Sequence, residues 1–351
     1  MMRNLKYHDK RKLARRALGG FCVSLLAVNL YARLRGFGGS PFPLLDYIAT
    51  NKPGPLQLDI MVPVYNRDDK LLDFGQQLGE AIRKYQKQVQ KDSSSIGSYI
   101  ADFRLLITRY SDIEKQNSDQ IRQQLSEKTS IPKQSIITIK APEGTFERAA
   151  AVNLLQKNAC SLATCLVARV DVDMEVRPVF FENSVEVVYN KRNAYFPIVW
   201  SEHYPLSAQL VEAHLQKNTS NYSFKLPEFS EHRGYWRIFG TGMYVLSGPH
   251  AKRFNLDTKF RGWGGEDGNF YQMVGSALTQ YRVTRTEEPG LIHKWHPKFC
   301  RMGVDVFSEE QWKDCQGARL GQMGSDLGFQ LTVKHLEENM PEEYRHHSIY
   351  F

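Results

Sequence analysis

Two aspartates after a mostly apolar stretch are the first residues whose types and spacing suggest chemistry. Asp171 ends the run 164–171, and Asp173 lies just beyond it. One of these carboxylates can bind a hard divalent cation, and the other can order sugar hydroxyls or the water around the ion. A cation there would bridge two phosphates of a nucleotide-sugar and neutralise the charge of the departing diphosphate. The same pattern also occurs in solvated turns, so its interpretation depends on the rest of the chain.

A second segment, 260–267, combines glycines with aromatic residues and two acids. Trp263 lies between glycines, and Glu266 and Asp267 end the segment. Glycines permit a backbone that opens and closes, an indole offers a flat face to a sugar ring, and a carboxylate can act as a general base. The alternative is a structural glycine-rich turn around a buried tryptophan.

The third feature is a pair of histidines, His293 and His296, close to a predicted strand end. A neutral ring nitrogen at this position can complete a manganese site begun by Asp173. Zinc is disfavoured, because the chain contains no four-ligand set of cysteines and histidines. The alternative is that both rings serve only as ordinary hydrogen-bonding groups.

The elements that must position these residues alternate between strand and helix. Apolar runs bounded by polar turns predict strands at 58–65, 103–108, 135–139 and 164–171. Apolar residues at helical spacing predict helices at 71–89 and 146–156, and the polar stretch 112–128 predicts an exposed helix. Asp68 or Asp69 is available to cap the first helix. This order predicts an α/β fold with a mostly parallel sheet covered by helices, which binds ligands at the carboxyl ends of its strands.

The net charge of +8 is confined to the N-terminus. Residues 1–35 carry nine basic side chains and one acid, whereas the rest of the chain has 37 residues of each sign. A basic, nucleic-acid-binding body is therefore disfavoured. A run free of charged residues follows the basic cluster and predicts a cytosolic tail at 1–16, a transmembrane signal-anchor at 17–34 and a lumenal remainder. A cleaved signal peptide is the main alternative, and a buried amphipathic helix is another.

The remaining features fit a type II protein of the secretory pathway. Residues 35–55 are rich in glycine and proline and predict a short stem before a single catalytic domain at 56–351. The pairs Cys160/Cys165 and Cys300/Cys315 are spaced to close short loops in an oxidising compartment, or are buried free thiols. Two glycosylation sequons, which begin at Asn218 and Asn221, agree with that location.

Taken together and in order, these segments resemble the chondroitin N-acetylgalactosaminyltransferase and chondroitin synthase family and, more distantly, the β-1,4-galactosyltransferases. The similarity covers about residues 58–335. It is carried by the segments 62–67, 144–149, 171–174, 262–267 and 290–296, and by a tail, 311–315, that ends in a cysteine. The ordered set is far more specific than any one segment.

The resemblance implies a GT-A fold, a UDP-sugar donor and Mn²⁺. By that resemblance Asp173 and His296 bind the metal ion, with His293 as a third ligand. Asp267 is the implied catalytic base, and Glu266 orients a hydroxyl. The residues implied in binding the UDP-sugar are Asn66, Arg67, Phe146, Arg148, Asp171 and Trp263.

The implied activity is inverting, Mn²⁺-dependent transfer of N-acetylgalactosamine from UDP-GalNAc to a chondroitin-type glycosaminoglycan. Asp267 would take the acceptor proton as the hydroxyl attacks the anomeric carbon. Two residues depart from the family pattern: Gly268, beside the implied acceptor contacts, and Glu147, beside the implied uridine contacts. Because the stem is short, a second transferase domain is not expected. A bifunctional polymerase is therefore not expected either.

The resemblance further implies a single-pass type II protein of the Golgi membrane with a lumenal catalytic domain. A complex with other members of the chondroitin synthase family is expected as well. Two alternatives stay open. One is a β-1,4-galactosyltransferase that uses UDP-Gal on another glycan, and the other is a non-catalytic family member that binds glycan or stabilises a partner synthase.

Overall fold

The structure is a computed structural model, which describes residues 54–65, 67–91, 98–110, 117–140, 147–219, 224–260, 265–278, 283–298, 300 and 308–339. These residues belong to one compact unit that begins at Gly54. The predicted tail and anchor lie outside the described residues, as do nearly all of the stem and most of the two sequons. Within the described ranges no helix combines the length and the apolar character needed to cross a membrane.

Strands and helices follow the predicted alternation from the start of the described chain. The strands are β1 (Pro55–Tyr65), β2 (Tyr99–Tyr110), β3 (Ile136–Lys140), β4 (Cys165–Arg169), β5 (Met174–Val176), β6 (Ala194–Tyr195), β7 (Ile198–Glu202), β8 (Gly234–Trp236), β9 (Tyr244–Ser247), β10 (Val283–Thr284) and β11 (Glu287–His293). The helices are α1 (Asp68–Lys91), α2 (Ser118–Thr129), α3 (Arg148–Asn158), α4 (Pro178–Ser184), α5 (Pro205–Thr219), α6 (Gly248–Arg253), α7 (Glu266–Ala277), α8 (Glu309–Gly321) and α9 (Asp326–Asn339). A π-helical segment, Val185–Asn190, continues from α4.

Seven strands form the central sheet in the order β10-β6-β9-β4-β1-β2-β3. Strand β9 runs antiparallel to β4 and β6, whereas the other neighbouring pairs are parallel. The mostly parallel α/β sheet, which the GT-A fold class requires, is thereby confirmed. The direction of β9 is not predictable from the sequence, because its four residues carry no signal of direction.

Apolar side chains cover both faces of this sheet. On one face, Ile60 of β1 belongs to the same buried cluster as Leu71 and Leu78 of α1. On the other face, Met61 belongs to a cluster with Val152 of α3. Successive residues of a strand point to opposite faces, so a strand covered on both sides must be apolar at nearly every position. This explains why β1 reads as a continuous apolar run from Ile60 onwards.

A second sheet of four strands, β5-β11-β7-β8, brings the histidine segment to the aspartate segment. Strand β11 pairs antiparallel with β5, and His293 lies opposite Met174, the residue that follows Asp173. Gly290 is required within β11, because a Cβ atom there would lie 2.5 Å from the backbone nitrogen of Phe180. The sequence does not predict this sheet, since its strands are short and pair across long sequence distances.

The start of α1 differs slightly from the sequence prediction. Asp68 and Asp69 lie in the first turn of the helix rather than at the capping position before it. Their carboxylates still interact favourably with the positive end of the helix dipole. Asp68 also pairs with Arg109 near the end of β2, which joins the start of the helix to the sheet.

Both locally spaced cysteine pairs form disulfide bonds. Cys160 bonds to Cys165, the first residue of β4, and Cys300 bonds to Cys315 in α8. The alternative of buried free thiols is therefore wrong. The first bond closes the turn before the strand that leads to Asp171, and the second ties the segment after β11 to α8.

Candidate active site

The candidate site lies at the carboxyl end of β4, where the chain leaves the central sheet. Arg169 is the last residue of β4, and Asp171 and Asp173 lie in the turn before β5. Strand β1 runs parallel to β4, so Arg67, two residues after β1 ends, emerges at the same edge. Polar groups that follow neighbouring parallel strands are thus collected in one place, as ligand sites in open α/β sheets require.

Asp173, His293 and His296 form a cluster that fits a metal ion. One ligand atom from each side chain lies within 4.8 Å of the others. The Oδ2 atom of Asp173 is 3.1 Å from Nε2 of His296 and 3.8 Å from Nε2 of His293. The Oδ1 atom of Asp173 is buried and has no hydrogen-bond partner among the described residues. One carboxylate and two imidazoles are a donor set that suits a divalent transition metal.

The surroundings of His293 keep its ring neutral. Burial lowers the pKa of His293 to about 3; the carboxylate of Asp173 opposes this shift, while the charges of Arg237 and Lys298 add to it. A neutral imidazole is the form that binds a metal ion. His293 is therefore ready to act as a ligand at neutral pH without first losing a proton.

Two arginines connect the acids after β4 with the acids at the start of α7. Arg148, the first residue of α3, pairs with Asp171 and lies 3.8 Å from Glu266 and 3.7 Å from Asp267. Arg169 donates a hydrogen bond to Oδ1 of Asp267 and lies 3.8 Å from Asp171. The two acidic segments identified separately in the sequence therefore share one charged cluster.

Glu266 and Asp267 are neighbours in the chain, yet their pKa values move in opposite directions. Burial raises the pKa of Glu266, and the adjacent carboxylate of Asp267 adds to the rise. Burial acts in the same direction on Asp267, but the charges of Arg169 and Arg148 outweigh it and hold the pKa of that carboxyl below its usual range. Two carboxyls that differ in this way can divide acid and base roles between them.

One oxygen of Glu266 is available for a ligand. Its Oε2 atom is buried and makes no hydrogen bond within the part of the chain that the structure describes. A buried polar atom without a partner is costly, and a bound hydroxyl can satisfy it. Glu266 is thus suited to orient a hydroxyl, which is the role that the family resemblance implies.

The close packing around these acids requires glycine at two positions. Gly265, just before α7, has a φ of +95°, and a Cβ atom there would lie 2.9 Å from the ring of Phe260. At Gly242, in the loop between β8 and β9, a Cβ atom would lie 2.7 Å from Oδ2 of Asp267. A side chain at either position would displace the acids or the loops around them.

Sequence reasoning misses three basic residues of this site. Arg169 does leave a signal, since it is a charged residue at the end of an otherwise apolar strand. Arg237 and Lys298 lie in loops, where no pattern marks them. Burial, with the charge of Arg237 acting in the same direction, lowers the pKa of Lys298 to about 8. Arg237 and Lys298 place positive charge beside His293, which favours an anionic ligand.

The structure brings together every predicted site residue that it describes. These residues are Arg67, Arg148, Asp171, Asp173, Glu266, Asp267, His293 and His296. Arg67 joins the set through a hydrogen bond of 3.1 Å to Oδ2 of Asp173. Asn66, Phe146 and Trp263 lie outside the described residues. The individual roles assigned to all of these residues remain predictions.

The chain matches the sequence profile of a known protein family. Residues 57–327 match the profile of the family described as chondroitin N-acetylgalactosaminyltransferase. The matched range includes every predicted site residue. It also covers well over half of the chain, from β1 to the start of α9.

Individual relatives match over shorter ranges. Chondroitin sulfate synthase 3 of Mus musculus is 28% identical over 171 residues, which are 48% of this chain and 18% of that protein. Chondroitin sulfate N-acetylgalactosaminyltransferase 1 of Mus musculus is 37% identical over 100 residues, which are 26% of this chain and 18% of that protein. The chain therefore spans only about a fifth of the length of these relatives. A crystal structure of S. aureus TarS, residues 1–349, has a TM-score of 0.42 and 10% identity, and the match covers 83% of this chain and 77% of that one.

Proposed function

Because the chain belongs to the chondroitin N-acetylgalactosaminyltransferase family, we propose that it transfers N-acetylgalactosamine from UDP-GalNAc to a chondroitin-type glycosaminoglycan acceptor, with inversion. The observation that carries the proposal is the position of Arg148, which pairs with Asp171 after β4 and faces Asp267 at the start of α7. A cation for the donor and a carboxylate for the acceptor thus lie side by side. Direct displacement requires both substrates to be held at one place.

Mn²⁺ is the proposed metal ion, and Asp173, His293 and His296 would hold it. When bound, such an ion neutralises the charge that develops on the diphosphate as its bond to the sugar breaks. The unpartnered Oδ1 atom of Asp173 and the neutral ring of His293 support this assignment. The same donor set would also accept other transition metals, so the choice of Mn²⁺ rests on the family resemblance.

Basic side chains beside this cluster support a diphosphate-containing donor. Arg67 bonds to Asp173, and Arg148 bonds to Asp171, so both guanidinium groups lie at the edge of the proposed metal site. Both side chains keep contact with solvent, which allows them to exchange a carboxylate for a phosphate oxygen. Bidentate binding of phosphate by arginine fixes the orientation of the donor as well as its charge.

Asp267 is the proposed catalytic base, and Glu266 is the proposed orienting residue. A carboxylate that stays ionised can accept the proton of the acceptor hydroxyl while that hydroxyl attacks the anomeric carbon. Its low pKa is no obstacle if the proton moves late in the reaction. Glu266, whose pKa is raised by burial, can hydrogen-bond a sugar hydroxyl through its buried Oε2 atom.

We also propose that the protein is a single-pass type II protein of the Golgi membrane with residues 56–351 in the lumen. The basic tail at 1–16 and the run at 17–34 support this topology. The two disulfide bonds fit an oxidising lumen. Other members of the chondroitin synthase family are the proposed partners.

The test is a transfer assay of the full chain with Mn²⁺ and a panel of UDP-sugars. The acceptors are a chondroitin oligosaccharide that ends in glucuronic acid and a glycan that ends in N-acetylglucosamine. We expect transfer from UDP-GalNAc to the first acceptor. Transfer from UDP-Gal to the second acceptor alone would support the galactosyltransferase alternative. The absence of transfer and of donor hydrolysis with every UDP-sugar would support the non-catalytic alternative.

A variant separates the proposed base from the rest of the site. Asp267→Asn should abolish transfer while Mn²⁺-dependent binding of UDP persists, because the metal cluster is not changed. Asp102→Asn is the matched control, since Asp102 is an exposed acid on β2. Near-normal turnover in Asp267→Asn would exclude Asp267 as the base.

A further inference from the structure

Arg169 is a buried cation in an apolar strand. The other residues of β4, from Cys165 to Ala168, are apolar and buried, and Tyr244 lies opposite Arg169 on β9. The exposed fraction of the Arg169 side chain is 0%. Burial of a guanidinium is costly unless carboxylates and hydrogen bonds compensate for it. Here the compensation comes from Asp267, which accepts a hydrogen bond from Nη1, and from Asp171, 3.8 Å from Nη2.

Arg148 also faces Asp267, but its setting is different. Its side chain is 31% exposed, and it lies at the first position of a helix rather than within the sheet. An arginine with this exposure can turn towards a donor diphosphate in exchange for its carboxylate partners. Arg169 cannot, because no part of its side chain reaches solvent.

The two oxygens of Asp267 have different neighbours. Oδ1 accepts the hydrogen bond from Arg169. Oδ2 lies 3.7 Å from Nη1 of Arg148 and close to the main chain at Gly242. The carboxylate is therefore held through Oδ1 by Arg169 of the sheet, whereas Oδ2 lies on the side of Arg148 and Gly242.

We propose that Arg169 is a positioning residue for the catalytic base: it holds Oδ1 of Asp267 and keeps the carboxylate ionised and oriented when Arg148 turns to the donor. This inference rests on the proposed function, because it assigns Asp267 the role of base. It adds a residue that lies outside the acidic and histidine motifs and contacts neither substrate. The hydrogen bond across the sheet would set both the direction and the charge of the reacting carboxylate.

The charged and titratable groups around Asp267 come from every element packed against it. They are Arg169 of β4, Tyr244 of β9, Arg148 of α3, Arg237 of the loop between β8 and β9, and Glu266 of α7. Apart from burial, Arg169 has the largest influence on the pKa of Asp267, and Arg148 has the next largest. If the donor engages Arg148, Arg169 is the nearest cation that remains.

The first experiment measures the pH dependence of transfer by the full chain from UDP-GalNAc with Mn²⁺. Arg169→Met should move the acidic limb of kcat/KM to higher pH by about 1–3 units, because a neighbouring arginine lowers the pKa of an aspartate by that amount. It should also lower kcat with little change in the KM for UDP-GalNAc. Arg169→Lys should restore much of the pH profile, since it keeps the charge but not the planar hydrogen-bonding group.

Matched variants distinguish positioning from a general loss of structure. Arg104→Met removes an arginine that lies 3.6 Å from a buried carboxylate, Asp59, in the same sheet but away from the site. It should leave the acidic limb unchanged. Arg148→Met should instead raise the KM for UDP-GalNAc, because Arg148 is the proposed donor-binding arginine.

The second experiment does not depend on activity. With ¹³C-labelled aspartate, the carboxyl resonance of Asp267 is assigned by its loss in Asp267→Asn and followed between pH 4.5 and 7. In the wild type it should stay at the position of an ionised carboxylate, whereas in Arg169→Met it should titrate within this window. Arg169→Lys serves as a second reporter if Arg169→Met does not fold, and it should keep the wild-type behaviour.

The two experiments distinguish a failure of the proposed function from a failure of the positioning role. An inactive wild type with a shifted resonance in Arg169→Met would overturn the proposed function and leave the ion pair intact. An active wild type whose pH profile and carboxyl resonance are unchanged in Arg169→Met would overturn the positioning role. Loss of the ionised state in Arg169→Lys as well would show that charge alone is not what holds the carboxylate.

Discussion

The Nε2 atom of His296 lies 3.1 Å from Oδ2 of Asp173. The contact joins the segment after β11 to the turn after β4, which follow strands of different sheets. Neither sheet alone contains the cluster of one carboxylate and two imidazoles. The antiparallel pairing of β11 with β5 is what brings them together, because it places His293 beside Met174.

Loss of His296 should therefore weaken metal binding without loss of the fold. Substitution of an outer partner of a metal ligand lowers metal affinity by about 10–100-fold, so removal of a ligand should lower it at least as much. We expect this loss for Mn²⁺ in His296→Gln, measured by electron paramagnetic resonance of the free ion. His232→Gln, which changes a histidine bonded to Ser325 away from the cluster, is the control. Equal Mn²⁺ affinity in both variants would contradict the assignment.

Gly242→Ala tests how closely the loop between β8 and β9 must approach the proposed base. The new methyl group would lie 2.7 Å from Oδ2 of Asp267, so the carboxylate or the loop must move. A displacement of about 1 Å at a reacting group can cost about 100-fold in rate, and we expect a loss of turnover of that order. Mn²⁺-dependent binding of UDP should persist, as measured by calorimetry.

The control for Gly242→Ala is Gly275→Ala, in the interior of α7. A Cβ atom at Gly275 would meet only Cγ2 of Val283, at 3.8 Å, which is an ordinary contact. Activity should be unchanged there, and stability should rise by up to about 1 kcal/mol, because alanine favours a helix over glycine. Equal turnover in the two variants would show that Gly242 does not limit the position of Asp267.

The sequence predicts the part of the fold that is buried on both faces. β1 and β4 are apolar at nearly every position, because parallel strands between two layers of helices have no solvent-facing side. The acids after β4 and the histidines at and beyond the end of β11 are predictable for a related reason, since polar residues directly after apolar runs mark strand ends. The alternation of strand and helix then places those ends at one edge.

The rest of the site depends on pairings that leave no local pattern. β5 has three residues and β8 has three, too few for a reliable periodicity. The partner of Arg169 is 98 residues away, and only the tertiary structure shows that it is Asp267. Arg237 and Lys298 contribute charge from loops, where an exposed surface residue would have the same sequence signature.

His250 makes the stability of the fold depend on pH, and this dependence is separate from catalysis. Burial lowers its pKa to about 4, and the charge of Arg253 adds to the shift. An unfolded histidine has a pKa of about 6.5, so between these values the unfolded chain binds a proton that the folded chain does not. The resulting stability is complete above about pH 6.5 and is lost as the pH falls towards 4.

His250→Asn should flatten this dependence. The free energy of unfolding of the wild type, measured by urea denaturation, should fall by about 2 kcal/mol more than that of His250→Asn between pH 7 and pH 4.5. Asparagine is chosen because its amide can replace the hydrogen bond between Nδ1 of His250 and the hydroxyl of Ser247. If the free energy of unfolding depends on pH equally in the two proteins, protonation of His250 is not the cause of the dependence.

Phe239 is an exposed aromatic residue in the loop between β8 and β9. Its side chain is 91% exposed, and the neighbouring Ile238 is 57% exposed. Arg285 fixes this loop through hydrogen bonds to the carbonyl oxygens of Ile238 and Gly240. The same loop continues to Gly242, which touches the proposed base. An exposed aromatic ring on a fixed loop beside such a site is suited to stack on an acceptor sugar.

Phe239→Ala should therefore raise the KM for the acceptor by about 3–10-fold, which corresponds to about 0.5–1.5 kcal/mol for one aromatic contact. The KM for UDP-GalNAc and the melting temperature should not change, since an exposed ring contributes little to the core. Leu162→Ala is the control, because Leu162 is 64% exposed at the opposite end of β4. A rise in the KM for the donor instead of the acceptor would show that Phe239 contacts the donor. No change in either KM would show that Phe239 contacts neither substrate.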